Sequence, residues 1–379
     1  MVAMEFHFQP SQYIISTVRR STSITDQEVI ESDFLLRALR LVNNTSFPVR
    51  ITSYVFTFKS KGLQLSRIIL LETSVKKRAM EVSQVLSQLS QNGSQLRKIQ
   101  QKDNLHRLFG SDSFWEVSQV VSGNFLEPGD EIGLMNERFR VLSENPIDEL
   151  LVDAIYEKDG SENHISITIP ICVKKKHQDY IFPVKGQWIV GWNWVGFESH
   201  RGAFSQEYAF DIFRIDDKME IENAQKPNSM DPCYGEEIIA IADGRVISCF
   251  DGVPDNPAVG MQLSPEEKKE IISKNNSSLP MGAGNHVILQ HDCEEYSFYA
   301  HMIPGSLRVK TGDDVKQGQV LGLVGNSGNS DGPHLHFHLM DGPDYFTARG
   351  LPCHFTNVRN LYGKVLDIID VNDSMVWAE

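Results

Sequence analysis

No stretch of these 379 residues stays apolar for long enough to cross a bilayer as a helix. The start, MVAMEFHFQPSQYIISTVRR, has no basic segment leading into an apolar run and a small-residue cleavage site. A signal peptide is therefore not expected, and by this sign a cytoplasmic location is. Cysteine is scarce: Cys172, Cys233, Cys249, Cys293 and Cys353 fall at no metal-ligand or disulfide-framework spacing, and their odd number leaves one unpaired. Thiols in a reducing compartment are the expectation. Positive charge is scarce in the second half. The net charge is −14, with 21 basic and 21 acidic residues through His177 but 15 basic and 29 acidic beyond it. Such a surface repels a phosphate backbone, which excludes nucleic acid as the partner. The glycine-rich run GNSGNSDGP at 325–333 lacks the lysine and following helix of a phosphate cradle, which excludes nucleotide binding.

The first half is dominated by residues that alternate with a period of two. Leu35, Arg37, Leu39 and Leu41, then Val49, Ile51, Ser53, Val55 and Thr57, read as two strands of a hairpin around a polar turn that ends in Pro48. Strand-like segments return at 115–121, 131–142, 149–156 and 165–174, separated by turn formers such as Pro128-Gly129 and Asp159-Gly160. Short strands at regular spacing predict an N-terminal β-sandwich, of immunoglobulin-like kind, over residues 1–178. One segment departs from the pattern. Met80, Val82, Val85, Leu86 and Leu89 follow helical spacing, Asn92-Gly93 interrupts, and Ile99 and Leu105 resume it, so a helical insertion packed on the sandwich is expected. The isolated His7, His106, His164 and His177 suggest no chemistry.

Residues 179–379 carry the chemistry-bearing pattern. Asp211 sits in the apolar run Tyr208-Ala209-Phe210-Asp211-Ile212, where an ionised carboxylate is costly unless paired or bound to metal. Asp243-Gly244 between two apolar runs predicts a hairpin. Ser264-Pro265-Glu266-Glu267 predicts a capped helix start inside a surface insertion that shapes one wall of a cleft. Tyr299 and His301 are expected on one strand face. His334, His336 and His338 recur at every second residue of a strand, so their imidazoles share a face. Three neutral imidazoles on one rigid element point to a metal site, the alternative being a polar, solvated strand face. His291 reads as a structural hydrogen-bonding residue, and His286 and His354 as surface or loop residues.

Taken in order, EYAFDI, ADGRVIS, GNHVILQH, YSFYAHM and VKTGDDVKQGQVLGLVGNSGNSDGPHLHFH make the second half similar to the catalytic domain of the lysostaphin-like (LytM-type) zinc metallopeptidases. The resemblance leaves the first half uncovered. It implies an antiparallel β-sheet peptidase domain, a bound Zn2+, and hydrolysis of peptide bonds in bacterial cell-wall peptidoglycan by zinc-activated water assisted by two histidines. Carried over, it makes Asp211 and His336 zinc ligands and His301 and His334 the catalytic histidines. The family pattern places the third ligand, a histidine, four residues before the aspartate. Glu207 stands there, so His200 is taken as the third ligand with Glu207 as the alternative. His338, where the family commonly has glutamate, reads as a partner behind the ligands. The resemblance also implies action outside the cytoplasm, against the sign from the N-terminus. Two further readings stay open: a non-catalytic domain of the same fold that binds a cell-wall peptide or a partner hydrolase, and a fully coordinated storage site.

Overall fold

The structure, a computed structural model, describes residues 3–22, 28–90, 94–191, 200–214, 225–369 and 374–379. The Asn92-Gly93 break lies outside them. The chain forms two compact units, Met1–Asn92 with Phe109–Lys175 and Gly93–Leu108 with Lys176–Glu379.

The first unit contains β1 (Glu5–Gln9), β2 (Ile14–Thr22), β3 (Glu28–Val42), β4 (Val49–Ser60), β5 (Leu63–Leu71), α1 (Glu72–Leu89), β6 (Phe125–Leu126), β7 (Glu131–Ser143), β8 (Glu149–Lys158) and β9 (Ser161–Val173). The nine strands form one sheet in the order β1-β3-β2-β9-β8-β4-β5, with β7 on β3 and β6 on β4. The sheet folds over its own core. Phe34 of β3 and Phe139 of β7 lie 6.0 and 5.1 Å from Phe58 of β4 between ring centroids, although β3 and β4 are far apart in the hydrogen-bonded order. Each such buried ring contributes roughly 1.5–3 kcal/mol of burial free energy.

The expected hairpin between β3 and β4 does not form. β3 pairs with β1, β2 and β7, whereas β4 pairs with β5, β6 and β8. Asn43 instead holds the crossover, donating from Nδ2 to the carbonyls of Phe47 and Leu126. Alternation fixes which side chains are buried but not which strand is the partner. Two-residue hairpins form instead at β4–β5, where Lys61 and Gly62 adopt positive φ, 51° and 78°, and at β8–β9, where Asp159 and Gly160 adopt 49° and 76°. The strand expected at 115–121 is a short 3₁₀ turn, Val117–Gln119. Val75, Ala79, Val82 and Leu86 form the buried stripe of α1, which packs mainly on β4, β5 and β7. The following helix, α2 (Gln95–Phe109), has all but its last residue in the second unit.

The second unit continues with β10 (Gly186–Gly191), β11 (Phe210–Phe213), β12 (Glu237–Ile239), β13 (Gly244–Phe250), α3 (Pro265–Asn275), α4 (Leu279–Ala283), β14 (Asn285–Gln290), β15 (Tyr296–Met302), β16 (Asp314–Val315), β17 (Val320–Leu323), β18 (Leu335–Met340), β19 (Gly350–Leu351), β20 (Val358–Asn360) and β21 (Met375–Ala378). Its main sheet is antiparallel, ordered β16-β13-β14-β15-β18-β11-β10-β21-β20, with β19 beside β18. The histidine strand β18 is therefore central, covered on both edges by β15 and β11.

Two local expectations change. Asp243-Gly244 does not close a hairpin, since β12 pairs with β17 and β13 with β14 and β16. Glycine is required at 244 because a Cβ there would sit 2.6 Å from the Gln290 carbonyl oxygen. Asp243 accepts from the Gln317 N–H and from Lys316 Nζ. The helix start is as the sequence implies: the Ser264 side chain accepts from the Glu267 N–H and the Glu267 carboxylate accepts from the Ser264 N–H. None of the five cysteines is in a disulfide.

His286 is a core residue, not a surface one. It is 2 % exposed, stacked between Phe250 and Phe298, and its Nδ1 donates to the Gly284 carbonyl. Burial lowers its pKa from the usual 6.5 to about 4. The unfolded chain takes up this proton as pH falls through about 6.5, whereas the folded chain resists until about 4. The stability His286 contributes as a neutral ring is therefore complete above pH 6.5 and is lost progressively down to pH 4. The loss at the acid end is on the order of 3 kcal/mol. His286→Phe, which keeps the stack, is expected to flatten this acid limb. Urea midpoints at pH 7 and pH 4.5 check it: a wild-type-like acid loss in the variant would remove His286 as its source.

Candidate functional site

β18 presents His336 and His338 to one face, with Leu335, Phe337 and Leu339 on the other. Register brings Asp211 of β11 and Ala300 of β15 opposite His336. Strand alternation alone would put His301, next to Ala300, on the far face with Tyr299. Tyr299 is there, its ring against Phe337 and its hydroxyl accepting from the Ile241 N–H. His301 leaves that face. Its backbone takes a left-handed conformation, φ 64°, at the end of β15, and the ring swings back to lie 4.6 Å from His334 and 5.9 Å from His336 between centroids. A non-glycine residue in this region costs on the order of 1 kcal/mol, and such strain clusters at functional sites. Tyr299 and His301 thus do not share a face.

His200 sits in a 3₁₀ turn, His200–Gly202, before β11, and its ring meets His336 edge to face at 4.5 Å. Donor atoms of His200, Asp211 and His336 all lie within 4.8 Å of one another. One Asp211 oxygen is 2.9 Å from His200 Nε2, and the other is 2.9 Å from His336 Nδ1 and 3.5 Å from His334 Nε2. The His200–Asp211 approach is short yet misaligned for a hydrogen bond, so this buried Nε2 has no hydrogen-bond partner among the described residues. His336 Nδ1 is hydrogen-bonded to Asp211, and with His200 Nε2 the three donor atoms are close enough together to share a metal ion. Two imidazoles and a carboxylate are a donor set for a divalent transition metal. Glu207, by contrast, is buried and faces Arg201 Nε at 3.9 Å, outside this cluster.

The remaining histidines have defined orientations. His301 Nδ1 donates to the Ser327 carbonyl at 2.7 Å and His334 Nδ1 to the Gly332 carbonyl at 2.8 Å. In the neutral rings, Nε2 is then the unprotonated nitrogen. The glycine-rich loop holds the Ser327 carbonyl in place: Ser327 Oγ accepts from the Asn285 N–H and donates to the Met302 carbonyl. Gly328 packs so closely there that a Cβ would lie 2.3 Å from the Gly284 nitrogen. His336 Nε2 is 3.0 Å from His338 Nδ1, and the buried His338 Nε2 has no hydrogen-bond partner among the described residues. His291 is structural, bonded to the Asp243 carbonyl and to Ser297 Oγ, and His354 pairs with Asp367.

Burial acts against charge at Asp211, but His334 and His200 beside it hold the carboxyl well below the usual range. Burial likewise opposes charge at His334, and Asp211 overrides it to raise the imidazole. His301 has burial and the neighbouring His334 and His336 all pushing its pKa well below normal. His336 is pushed down to about 4, first by burial. The cluster opens onto a cavity of about 460 Å³. Residues of the insertion, among them Ile272 and Met281, form one wall, as expected.

Residues 229–347 match Peptidase family M23. His301, His334, His336 and His338 lie inside the match, and His200 and Asp211 lie upstream of it. Among curated proteins, the chain is 43% identical over 136 residues to the peptidoglycan DD-endopeptidase ShyA of Vibrio cholerae, covering 36% of this chain and 28% of that one. It is 41% identical over 64 residues to an uncharacterized metalloprotease of Buchnera aphidicola, covering 17% and 16%. It is 40% identical over 60 residues to lysostaphin of Staphylococcus simulans, covering 16% and 12%. The chain thus spans under a third of the length of these relatives. Similar solved structures include a zinc-containing peptidase from Vibrio cholerae, at 14% identity over 91% of this chain and 87% of that one with TM-score 0.26. The catalytic domain of lysostaphin from Staphylococcus simulans matches at 20% identity, 46% and 86% coverage and TM-score 0.24.

Proposed function

Because residues 229–347 form a domain of peptidase family M23, we propose that this chain is a zinc metalloendopeptidase that hydrolyses peptide bonds of bacterial cell-wall peptidoglycan. The observation that carries this reading is the convergence of His200, Asp211 and His336 beside two more histidines whose Nε2 atoms are left for chemistry. His200, Asp211 and His336 would hold the ion, which leaves a position for water and substrate. Bound there, zinc supplies a Lewis acid that activates water and polarises the scissile carbonyl. His301 and His334 divide the proton work at Nε2. One accepts the proton of the attacking water and returns it to the leaving amine, and the other donates a hydrogen bond to the oxyanion. The Nδ1 bond to a backbone carbonyl leaves Nε2 free to accept in the neutral ring that serves as base, whereas the ring that donates to the oxyanion carries a proton on both nitrogens. A peptidoglycan substrate places the action outside the cytoplasm.

His338 acts behind the ligands. With His336 binding through Nδ1, its Nε2 carries a proton that His338 Nδ1 accepts. His338→Leu is expected to weaken zinc affinity by roughly 10–100-fold, and His338→Gln, which restores an acceptor, to recover part of that. Competition with a chromogenic chelator reads it, and an unchanged affinity in the leucine variant would leave His338 a packing role only. The proposed activity itself is tested on a suspension of purified peptidoglycan. The zinc-loaded chain should clear it, a chelator should stop the clearing, and added zinc should restart it. A suspension that the zinc-loaded chain leaves turbid would contradict the reading.

A further inference from the structure

The cavity beside the metal cluster is lined on one side by Gln100, Asn104 and Arg107 of α2 and by Lys268 of α3. Among the described residues lining it, two are permanent cations and none is an aspartate or glutamate. That is against the trend of a chain whose net charge is −14. Neither cation is paired with a carboxylate among the described residues. Lys268 Nζ donates to the amide oxygen of Gln262 at 2.9 Å, and the Arg107 side chain is exposed. The helix that carries Arg107 is fixed to the cleft at two places. Asp103 accepts from the N–H and the hydroxyl of Ser278, each at 2.7 Å, and the Arg107 carbonyl accepts from the Phe204 N–H at 2.6 Å. The one acidic side chain of α2 is thereby occupied. Arg107 also bears on Tyr345 at the cavity wall: burial raises the pKa of this phenol, and the positive charge of Arg107 opposes the rise.

We propose that Arg107 and Lys268 form a cationic subsite of the cleft that receives a free carboxylate of the bound peptide. The proposal rests on the reading of the cleft as a peptidoglycan hydrolase site and adds which peptides it prefers. A guanidinium and an ammonium from two helices that line one cavity concentrate an anion there and orient the strand that carries it. Peptide stems with free carboxylates are then bound in preference to amidated ones.

The test is equilibrium binding, which needs no turnover. The probe is the uncross-linked disaccharide–tetrapeptide fragment of peptidoglycan, beside the same fragment with its carboxylates converted to amides. The full zinc-loaded chain is expected to bind the free acid roughly ten-fold more tightly, as a charge-assisted hydrogen bond supplies. This preference should shrink with added salt. In the variant carrying Arg107→Gln and Lys268→Gln, both probes should bind with the affinity of the amide. Equal affinities in the wild type, or a preference that survives both substitutions, overturns the subsite. Failure of the hydrolase reading is a separate result, since it would appear as absent peptidoglycan clearing with the binding preference intact.

Discussion

His334→Ala is expected to lower kcat by about 10²–10⁴-fold while the chain keeps its zinc. His334 holds its Nδ1 proton on the Gly332 carbonyl, and its Nε2 stands 3.5 Å from an Asp211 oxygen. The alanine variant therefore removes a proton carrier without removing any of the three proposed ligands. Steady-state kinetics on a soluble cross-linked fragment, with zinc content measured on the same sample, separates the two roles. A variant that loses zinc in proportion to activity would make His334 a ligand. A variant with full activity would remove it from the chemistry. The matching change at His301 should behave alike, because Nδ1 there is held by the Ser327 carbonyl.

Asp211→Ala is expected to abolish stoichiometric zinc uptake, an effect larger than the 10–100-fold worth of an outer hydrogen-bonding partner. Asp211 lies between three imidazoles, and its carboxylate supplies the negative charge of the donor set. Asp211→Asn, which keeps the shape, should also fail to hold the ion, because the amide oxygen is a weaker donor without net charge. Glu207→Gln is the informative control. Its carboxylate faces Arg201 and lies outside the cluster, so zinc content should be unchanged. Full zinc in the Asp211 variants, or loss of zinc in the Glu207 variant, would relocate the site.

The site was legible wherever one strand carries several of its members. Spacing alone puts His336 and His338 on one face of β18, with His334 one residue before the strand. Asp211 is marked as an ionisable group in an apolar run. His301 was legible as a residue but not as a direction, because a single left-handed backbone conformation reverses the face that alternation assigns. Burial of His286 depends on Phe250 and Phe298 from two other strands, which local polarity does not register. Long-range pairing was the least legible property. Asp243-Gly244 has the composition of a hairpin, yet its glycine answers to a close approach by the Gln290 carbonyl. Arg107 carries no local signal at all. It is distant in sequence from every histidine of the cluster and reaches the cleft only because α2 belongs to the second unit.

The most direct measurement is mass spectrometry of the fragments released from purified peptidoglycan by the zinc-loaded chain, with and without chelator and beside His334→Ala. New peptide ends that appear with the zinc-loaded wild type and vanish in both controls are the expected result. The ends would also name the bond. Intact peptides after treatment with zinc-loaded protein would contradict the hydrolase and leave a domain of this fold that binds the cell wall without cutting it.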